Sequence, residues 1–237
     1  MNSIHNNKLS INNNIQLTES FTWVKLSWLM FREYPIHFIS LTLIGFIIAI
    51  LPLISPLLLF SSFCLPLFAS QFMSLADKIS KNNNYDNDES ILKFSELFKG
   101  FFSRKTILNL AFINLILNIS LILLEYGIKA LLNHFVGFNS YFLFTINDVL
   151  YFFLTLMLQL ALWLSPVICT MNPEIKPLDA MLLSIKSSFY NIPVFMVYML
   201  IVLAITIVAI IPFGIGLLVV LPMLQLSPYF IYKTIFK

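Results

Sequence analysis

Charged residues are scarce in this sequence. Asp, Glu, Lys and Arg together make up 11% of the 237 residues, whereas a soluble domain carries about 25%. Hydrophobic residues make up 59%, and the mean hydropathy is +0.89. A soluble core in so short a chain cannot bury that much apolar surface, and the hydrophobicity excludes a disordered protein. The composition therefore predicts an integral membrane protein.

Glycine and cysteine are also few, with six Gly and two Cys in the whole sequence. These counts exclude a collagen-like fibre and a disulfide scaffold. Cys64 and Cys169 form no CxxC motif and lie within apolar stretches, which indicates small buried side chains and not a metal site or a disulfide.

Motifs of catalysis are missing as well. The sequence has no phosphate-binding glycine loop, no HExxH and no GxSxG, and its three histidines are not spaced as zinc ligands. The GxG in Phe213–Gly216 follows a proline, so we interpret it as a tight turn. We expect no enzymatic activity, no metal and no cofactor.

The N-terminal segment 1–19 is polar and rich in Asn. It lacks the basic and apolar regions of a cleavable signal peptide. We expect a disordered polar tail over 1–19, followed by a single transmembrane domain over 20–237.

Long apolar runs fill the rest of the chain. No charged residue occurs from Ile36 to Ala76, a length that suits two spans and is divided by Pro52 and Pro56. The run Ile192–Ile231 is divided in the same way at Pro212–Gly216. The runs are continuously apolar and not alternating, which favours helices over a β-barrel. Six spans are predicted, at about 36–51, 57–76, 106–124, 149–170, 192–211 and 217–231.

Basic residues fall almost entirely on one side of this six-span arrangement. Thirteen of the fourteen precede span 1, follow span 6, or lie between spans 2 and 3 or spans 4 and 5; only Lys129 lies on the other side. The positive-inside rule then predicts that both termini are cytoplasmic. Because the net charge is only +3, we expect contact with the lipid bilayer and its anionic headgroups, and no binding of nucleic acid.

A short amphipathic segment precedes each predicted pair of spans. Such helices can lie flat at the cytoplasmic interface. Prolines at matching offsets in the first and last pairs add to the similarity. The sequence thus predicts an all-α membrane protein of three pseudo-repeated units, each an interfacial helix plus a helical hairpin, with a long loop at 125–147 in the middle unit. The three interfacial segments are Ser20–Tyr34, Ser90–Ser103 and Leu178–Tyr190.

The apolar face of each interfacial segment follows from helical spacing. In the first segment it comprises Phe21, Val24, Trp28 and Phe31. In the last segment it comprises Leu178, Met181, Leu182, Ile185 and Phe189. We expect these faces to contact the bilayer.

Ionisable residues, the usual sign of transport or proton relay in a membrane, do not occur at mid-depth in any predicted span. Glu125 and Asp148 lie at the outer ends of spans 3 and 4, and we expect them to face each other with Lys129 as a partner. Two interpretations are open for this group: simple solvation at the interface, or a mouth that attracts cations.

Neutral amides do occur within the spans. Asn114 and Asn118 are four residues apart and share a helix face. They could hold helices together through hydrogen bonds worth about 0.6–2 kcal/mol each. Alternatively, they could form part of a polar lining for a substrate path. The residues proposed for this intramembrane lining are Asn114, Asn118, Gln159, Gln71 and Gln225.

Several short motifs carry a resemblance to a known family. The chain resembles, over about residues 20–236, a proteobacterial family of multi-spanning proteins of the inner membrane. The resemblance implies a bacterial inner-membrane location, and it supplies no established activity and no site residues. The motifs are Leu65-Pro66-Leu67-Phe68-Ala69, Leu164-Ser165-Pro166-Val167, Pro177-Leu178-Asp179-Ala180-Met181, Phe189-Tyr190-Asn191-Ile192-Pro193, Leu221-Pro222 and Ser227-Pro228-Tyr229.

Two functions agree with these observations. The first is a non-enzymatic membrane protein that acts as a scaffold or interacts with lipid and protein partners. The alternative is a transporter or permease for a small or lipidic molecule. A water-accessible cavity lined by Asn114, Asn118 and Gln159 would favour transport, whereas amides bonded to one another in a packed bundle would favour the first function.

Overall fold

The computed structural model describes residues 9–54, 58–81, 104–136 and 141–236. Within these ranges the chain is all-helical, with eight helices and no named strand. The helical fold class is thus confirmed. The helices are α1 (Glu19–Glu33), α2 (Pro35–Ile54), α3 (Leu58–Lys81), α4 (Lys105–Val136), α5 (Tyr141–Met171), α6 (Pro177–Tyr190), α7 (Ile192–Ile210) and α8 (Leu217–Ile235).

The apolar runs form the helices that their hydropathy predicted. Helices α4, α5, α7 and α8 are each long and apolar enough to cross a bilayer. The bent pair of α1 and the first part of α2 adds a fifth candidate if the two helices form one span. The described residues therefore provide four or five candidate spans. Of the three segments predicted to be interfacial helices, two are helical, as α1 and α6, and the segment Ser90–Ser103 lies outside the described residues.

Helices replace most of the loop that was expected at 125–147. Helix α4 continues to Val136 and α5 begins at Tyr141. The sequence suggested a loop because charged residues follow the apolar run, but Glu125 and Lys129 are spaced four apart and pair along the helix. At 32 residues, α4 is about 48 Å long and exceeds the thickness of a hydrocarbon core.

Contacts group the chain into two compact units. The terminal unit comprises Met1–Ile39 with Lys186–Lys237, and the central unit comprises Ser40–Ile185. Part of the segment expected to be a disordered tail belongs to the terminal unit. Ile11 pairs with Phe236, and the backbone N–H of Asn12 donates to the carbonyl of Ile235 at 2.8 Å. Residues 1–8 lie outside the described residues.

In the central unit, α3, α4 and α5 pack against one another. Their shared core contains Phe72, Leu110 and Leu164, all fully buried. Gly45 of α2 allows a close approach to α3, because a Cβ at this position would lie 2.7 Å from the ring of Phe68.

In the terminal unit, α7 and α8 form a hairpin against which α1 packs. The turn between them contains Phe213 and Gly214, both with positive φ values, of 54° and 80°. Gly216 then brings the two helices together, because a Cβ there would lie 2.7 Å from the Cα of Ala209. The interpretation of this GxG as a tight turn is confirmed.

Candidate functional site

Two of the proposed lining residues bond to each other. Asn114 is 3% exposed, and its Nδ2 donates to the carbonyl of Ser62 at 2.5 Å, which links α4 to α3. The Nδ2 of Asn118 donates to both the carbonyl and the Oδ1 of Asn114, at 2.9 and 2.8 Å. The two amides therefore satisfy each other and a backbone carbonyl, as expected of hydrogen bonds that hold helices together.

The other three proposed lining residues are placed differently. Gln71 of α3 is buried in the central unit, and Gln159 of α5 is exposed on the surface of the same unit. Within the described part of the central unit, no hydrogen bond joins Gln159 to the Asn114–Asn118 pair. Gln225 is exposed on α8 in the terminal unit. The structure thus brings together two of the five residues.

The ionic group predicted at the outer ends of spans 3 and 4 forms as expected, and it lies within α4 and α5 because these helices extend beyond the predicted spans. The Nζ of Lys129 lies 2.7 Å from Oε1 of Glu125 and 3.0 Å from Oδ1 of Asp148. Lys129 therefore connects the two helices and offsets one of the two negative charges. This pairing favours a structural role over a mouth that attracts cations. Among the described residues, no group of three or more His, Cys, Asp or Glu side chains could hold a metal ion.

Hydrogen bonds from three side chains on one face hold α1 against α7 and α8. The Oγ of Ser20 donates to the carbonyl of Val194 at 2.8 Å. One turn further along, the Nε1 of Trp23 donates to Oγ1 of Thr234 at 3.0 Å. The Oγ of Ser27 donates to the carbonyl of Trp23 and lies 3.2 Å from the Oγ of Ser227. These contacts give α1 a register along α8, with the two helices running in opposite directions.

The apolar face predicted for α1 is largely on the outside. Phe21 is 61% exposed and Trp28 is 42% exposed, whereas Phe31 is buried. The buried face carries Ser20, Trp23 and Ser27 instead. Helix α1 packs lengthwise on α8, because its hydroxyl groups and Trp23 bond to that hairpin. The expectation that α1 lies flat at an interface stays a prediction.

Helix α6 docks in the central unit through a serine as well. The Oγ of Ser184 donates to the carbonyl of Leu160 at 2.6 Å and accepts from the N–H of Leu164 at 3.1 Å. These two backbone groups pair with each other in a regular α-helix. Ser184 thus enters the hydrogen-bond ladder of α5 just before Pro166, a position where helices often bend.

The predicted apolar face of α6 is also turned outward. Leu178, Leu182 and Phe189 are 58%, 54% and 49% exposed, and Met181 is the buried member of the set. Both α1 and α6 therefore pack through serines and expose large apolar side chains. In each case the docking partner includes a Leu-Ser-Pro sequence, at residues 226–228 for α1 and at residues 164–166 for α6.

A groove runs between α1, α7 and α8 within the terminal unit. Its volume is about 640 Å³, within the range of small-molecule sites. The side chains that line it are apolar except for those of Thr22 and Lys25, both on α1. The lining residues are Phe21, Thr22, Val24, Lys25, Trp28, Ile201, Ile205, Val219, Val220 and Met223.

Comparisons with known proteins provide no relative from which a function could be assigned to this chain. No protein-family model, curated protein or solved structure matches this chain. The serine contacts of α1 and α6, the amide pair, the ionic group and the groove are therefore the features from which a function can be inferred.

Proposed function

We propose that this chain is a six-span protein of the bacterial inner membrane that organises lipid and partner proteins without catalysing a reaction. Both termini lie in the cytoplasm. The observation that carries the proposal concerns α1 and α6. Each of these helices turns an apolar face outward, and the serines on its opposite face are hydrogen-bonded to neighbouring helices.

Water penalises the exposure of large apolar side chains, while a bilayer stabilises it. Phe21 and Trp28 of α1, and Leu178, Leu182 and Phe189 of α6, all have at least 40% of their surface exposed. Each Å² of apolar surface removed from water contributes about 25 cal/mol. Helices with such faces are typical of protein surfaces that contact lipid.

Two sequence observations support the number of spans and the orientation. Each of the six predicted spans falls largely within one helix, and these helices are α2, α3, α4, α5, α7 and α8. With six spans, thirteen of fourteen basic residues share one side, and omitting any single span reduces that asymmetry.

Tryptophan fluorescence tests the contact with lipid. Trp28 is 42% exposed on the outward face of α1, whereas Trp23 is fully buried on the opposite face. A variant that keeps only Trp28 (Trp23→Phe with Trp163→Phe) should be quenched by brominated phospholipids after reconstitution. The matched variant that keeps only Trp23 should be quenched much less. Equal quenching, or protection of Trp28, would contradict the proposal.

Transport is the competing function, and one observation favours it. The Oγ1 of Thr155 on α5 is buried with no hydrogen-bond partner among the described residues, and Gln159 follows one turn later on the same helix. Two polar side chains one turn apart on the same helix, such as Thr155 and Gln159, resemble part of a polar path for a substrate. The mutual bonding of Asn114 and Asn118 and the pairing of Lys129 support the non-transport proposal instead.

A flux assay separates the two functions. The full chain, reconstituted in liposomes, is loaded with a panel of sugars, amino acids and inorganic ions. We expect no flux above protein-free liposomes, and we expect a deletion strain to show an altered phospholipid composition. Flux of any solute that falls in a Thr155→Val or Gln159→Leu variant would establish transport and overturn the proposal.

A further inference from the structure

The groove of the terminal unit has the features of a lipid site. We infer that it binds one anionic phospholipid, with an acyl chain along the groove and the headgroup phosphate at Lys25. This inference rests on the proposed membrane location, and it adds the ligand class and the residue that selects it.

The lining suits a hydrocarbon chain. Two helices, α7 and α8, contribute only aliphatic side chains and a methionine, including Ile201, Ile205 and Val219. Aromatic rings of Phe21 and Trp28 border the groove on α1. A groove of this composition offers an extended peptide almost no partners for its backbone N–H and C=O groups, which have to be hydrogen-bonded when buried. An acyl chain has no such requirement.

The groove has one charged end and one apolar end. Lys25 lies between Trp23, which bonds to Thr234, and Ser27, which meets Ser227. It is therefore level with the last two turns of α8, the end of the helix that carries Lys233. Ile205 and Val219 lie towards the opposite end of the α7–α8 hairpin, near its turn. This polarity matches a phospholipid whose headgroup is at the cytoplasmic surface.

Lys25 is available for an anion. Its side chain is exposed, and it forms no ion pair with any residue in the described part of the chain. A lysine at this depth can extend its ammonium group towards the headgroups while its methylene chain covers apolar surface. A basic residue near an anionic surface contributes about 1 kcal/mol, so the charge suffices to favour an anionic over a zwitterionic headgroup.

Native mass spectrometry of the full chain in a mild detergent tests the inference. The probes are phosphatidylglycerol and phosphatidylethanolamine with identical acyl chains, each titrated separately. We expect phosphatidylglycerol to bind more tightly, and Lys25→Gln to weaken its binding about fivefold. The same variant should weaken the binding of phosphatidylethanolamine less, because the ammonium group of that lipid offsets the charge of its phosphate. Lys186→Gln is the matched control, because this exposed lysine on α6 does not line the groove.

A second variant tests the acyl-chain half of the site. Ile205→Trp fills the groove without changing its charge, so it should weaken the binding of both lipids; circular dichroism and the melting temperature verify that the variant folds. Equal binding of the two lipids, or an unchanged affinity in Lys25→Gln, would overturn the inference. If Trp28 is nevertheless quenched by brominated lipid, the proposed function survives that failure. If Trp28 is protected, both proposals fail.

Discussion

The hydroxyl oxygens of Ser27 and Ser227 lie 3.2 Å apart, although 200 residues separate them in the sequence. Both side chains are fully buried. Together with the bond from Trp23 to Thr234, this contact fixes the register of α1 along α8. The first described helix thus completes the packing of the last one.

Replacing Ser27 with leucine should destabilise the protein. The site has no exposed surface and faces another buried hydroxyl, so the larger side chain overpacks the contact and removes its hydrogen bonds. We expect a loss of about 1–3 kcal/mol, measured as a lower melting temperature in detergent. Leu26→Ala, at an exposed neighbouring position, should change the melting temperature much less. A Ser27→Leu protein as stable as the wild type would contradict the assigned register.

Replacing Asn114 with leucine should cost more stability than the same change at Gln159. Asn114 is buried and bonded to Ser62 and Asn118, whereas Gln159 is exposed. We expect Asn114→Leu to lose about 0.6–2 kcal/mol in a denaturant titration in mixed micelles. If Gln159→Leu proved the more damaging change, the structural interpretation of the amide pair would be wrong.

Gly216 and Gly127 form a matched pair for testing helix approach. A Cβ at Gly216 meets the backbone of Ala209 at 2.7 Å, whereas a Cβ at Gly127 meets nothing within 4 Å. Gly216→Ala should destabilise the protein by about 1–3 kcal/mol. Gly127→Ala should stabilise it by about 0.5–1 kcal/mol, because alanine is favoured over glycine inside a helix. Equal melting temperatures for the two variants would argue against the close contact of α7 with α8.

Replacing Lys129 with methionine should lower the melting temperature, since it leaves the carboxylates of Glu125 and Asp148 without their shared cation. The side chains of Lys129 and Asp148 are 33% and 60% exposed. Salt screens an ion pair that water reaches, so the difference from the wild type should shrink as NaCl is raised from 50 mM to about 1 M. Lys176→Met serves as the control at another exposed lysine. A difference that persists at high salt would mean that the loss is not ionic in origin.

The proposed topology predicts the location of two reporters. A fluorescent protein fused after Lys237 should be cytoplasmic, and alkaline phosphatase inserted near Asn139 should be active in the periplasm. The positive-inside rule gives the reason, because Lys129 is the one basic residue on the outer side. An inactive phosphatase at Asn139 would exclude the six-span arrangement.

Hydropathy predicts the helices of this chain well, because long apolar runs leave the backbone no alternative in a bilayer. Helical spacing likewise places Asn114 beside Asn118, and the ends of the predicted spans bring Asp148 to Lys129. The first of these predictions depends on helical spacing alone, and the second on the antiparallel pairing of two neighbouring helices.

Hydropathy does not predict which face of a helix is packed. In α1 the most apolar positions, such as Phe21 and Trp28, are outward, while Ser20 and Ser27 are buried. In the proposed membrane location, lipid stabilises exposed apolar side chains as well as a protein core does, so an apolar side chain does not have to be buried in the protein. The better signal is the recurrence of small hydroxyl residues on the opposite face, which lets helix backbones approach closely.

The position of Ser184 has a consequence for how the chain is made. Leu160 and Leu164 of α5 share a partner that the ribosome adds 24 and 20 residues later. Until α6 is synthesised, the hydroxyl of Ser184 is absent from the turn of α5 that contains the carbonyl of Leu160 and the amide of Leu164. In its absence these two backbone groups can pair with each other as in a regular helix, so α6 adds a link between helices to a turn of α5 that can already form before α6 is made.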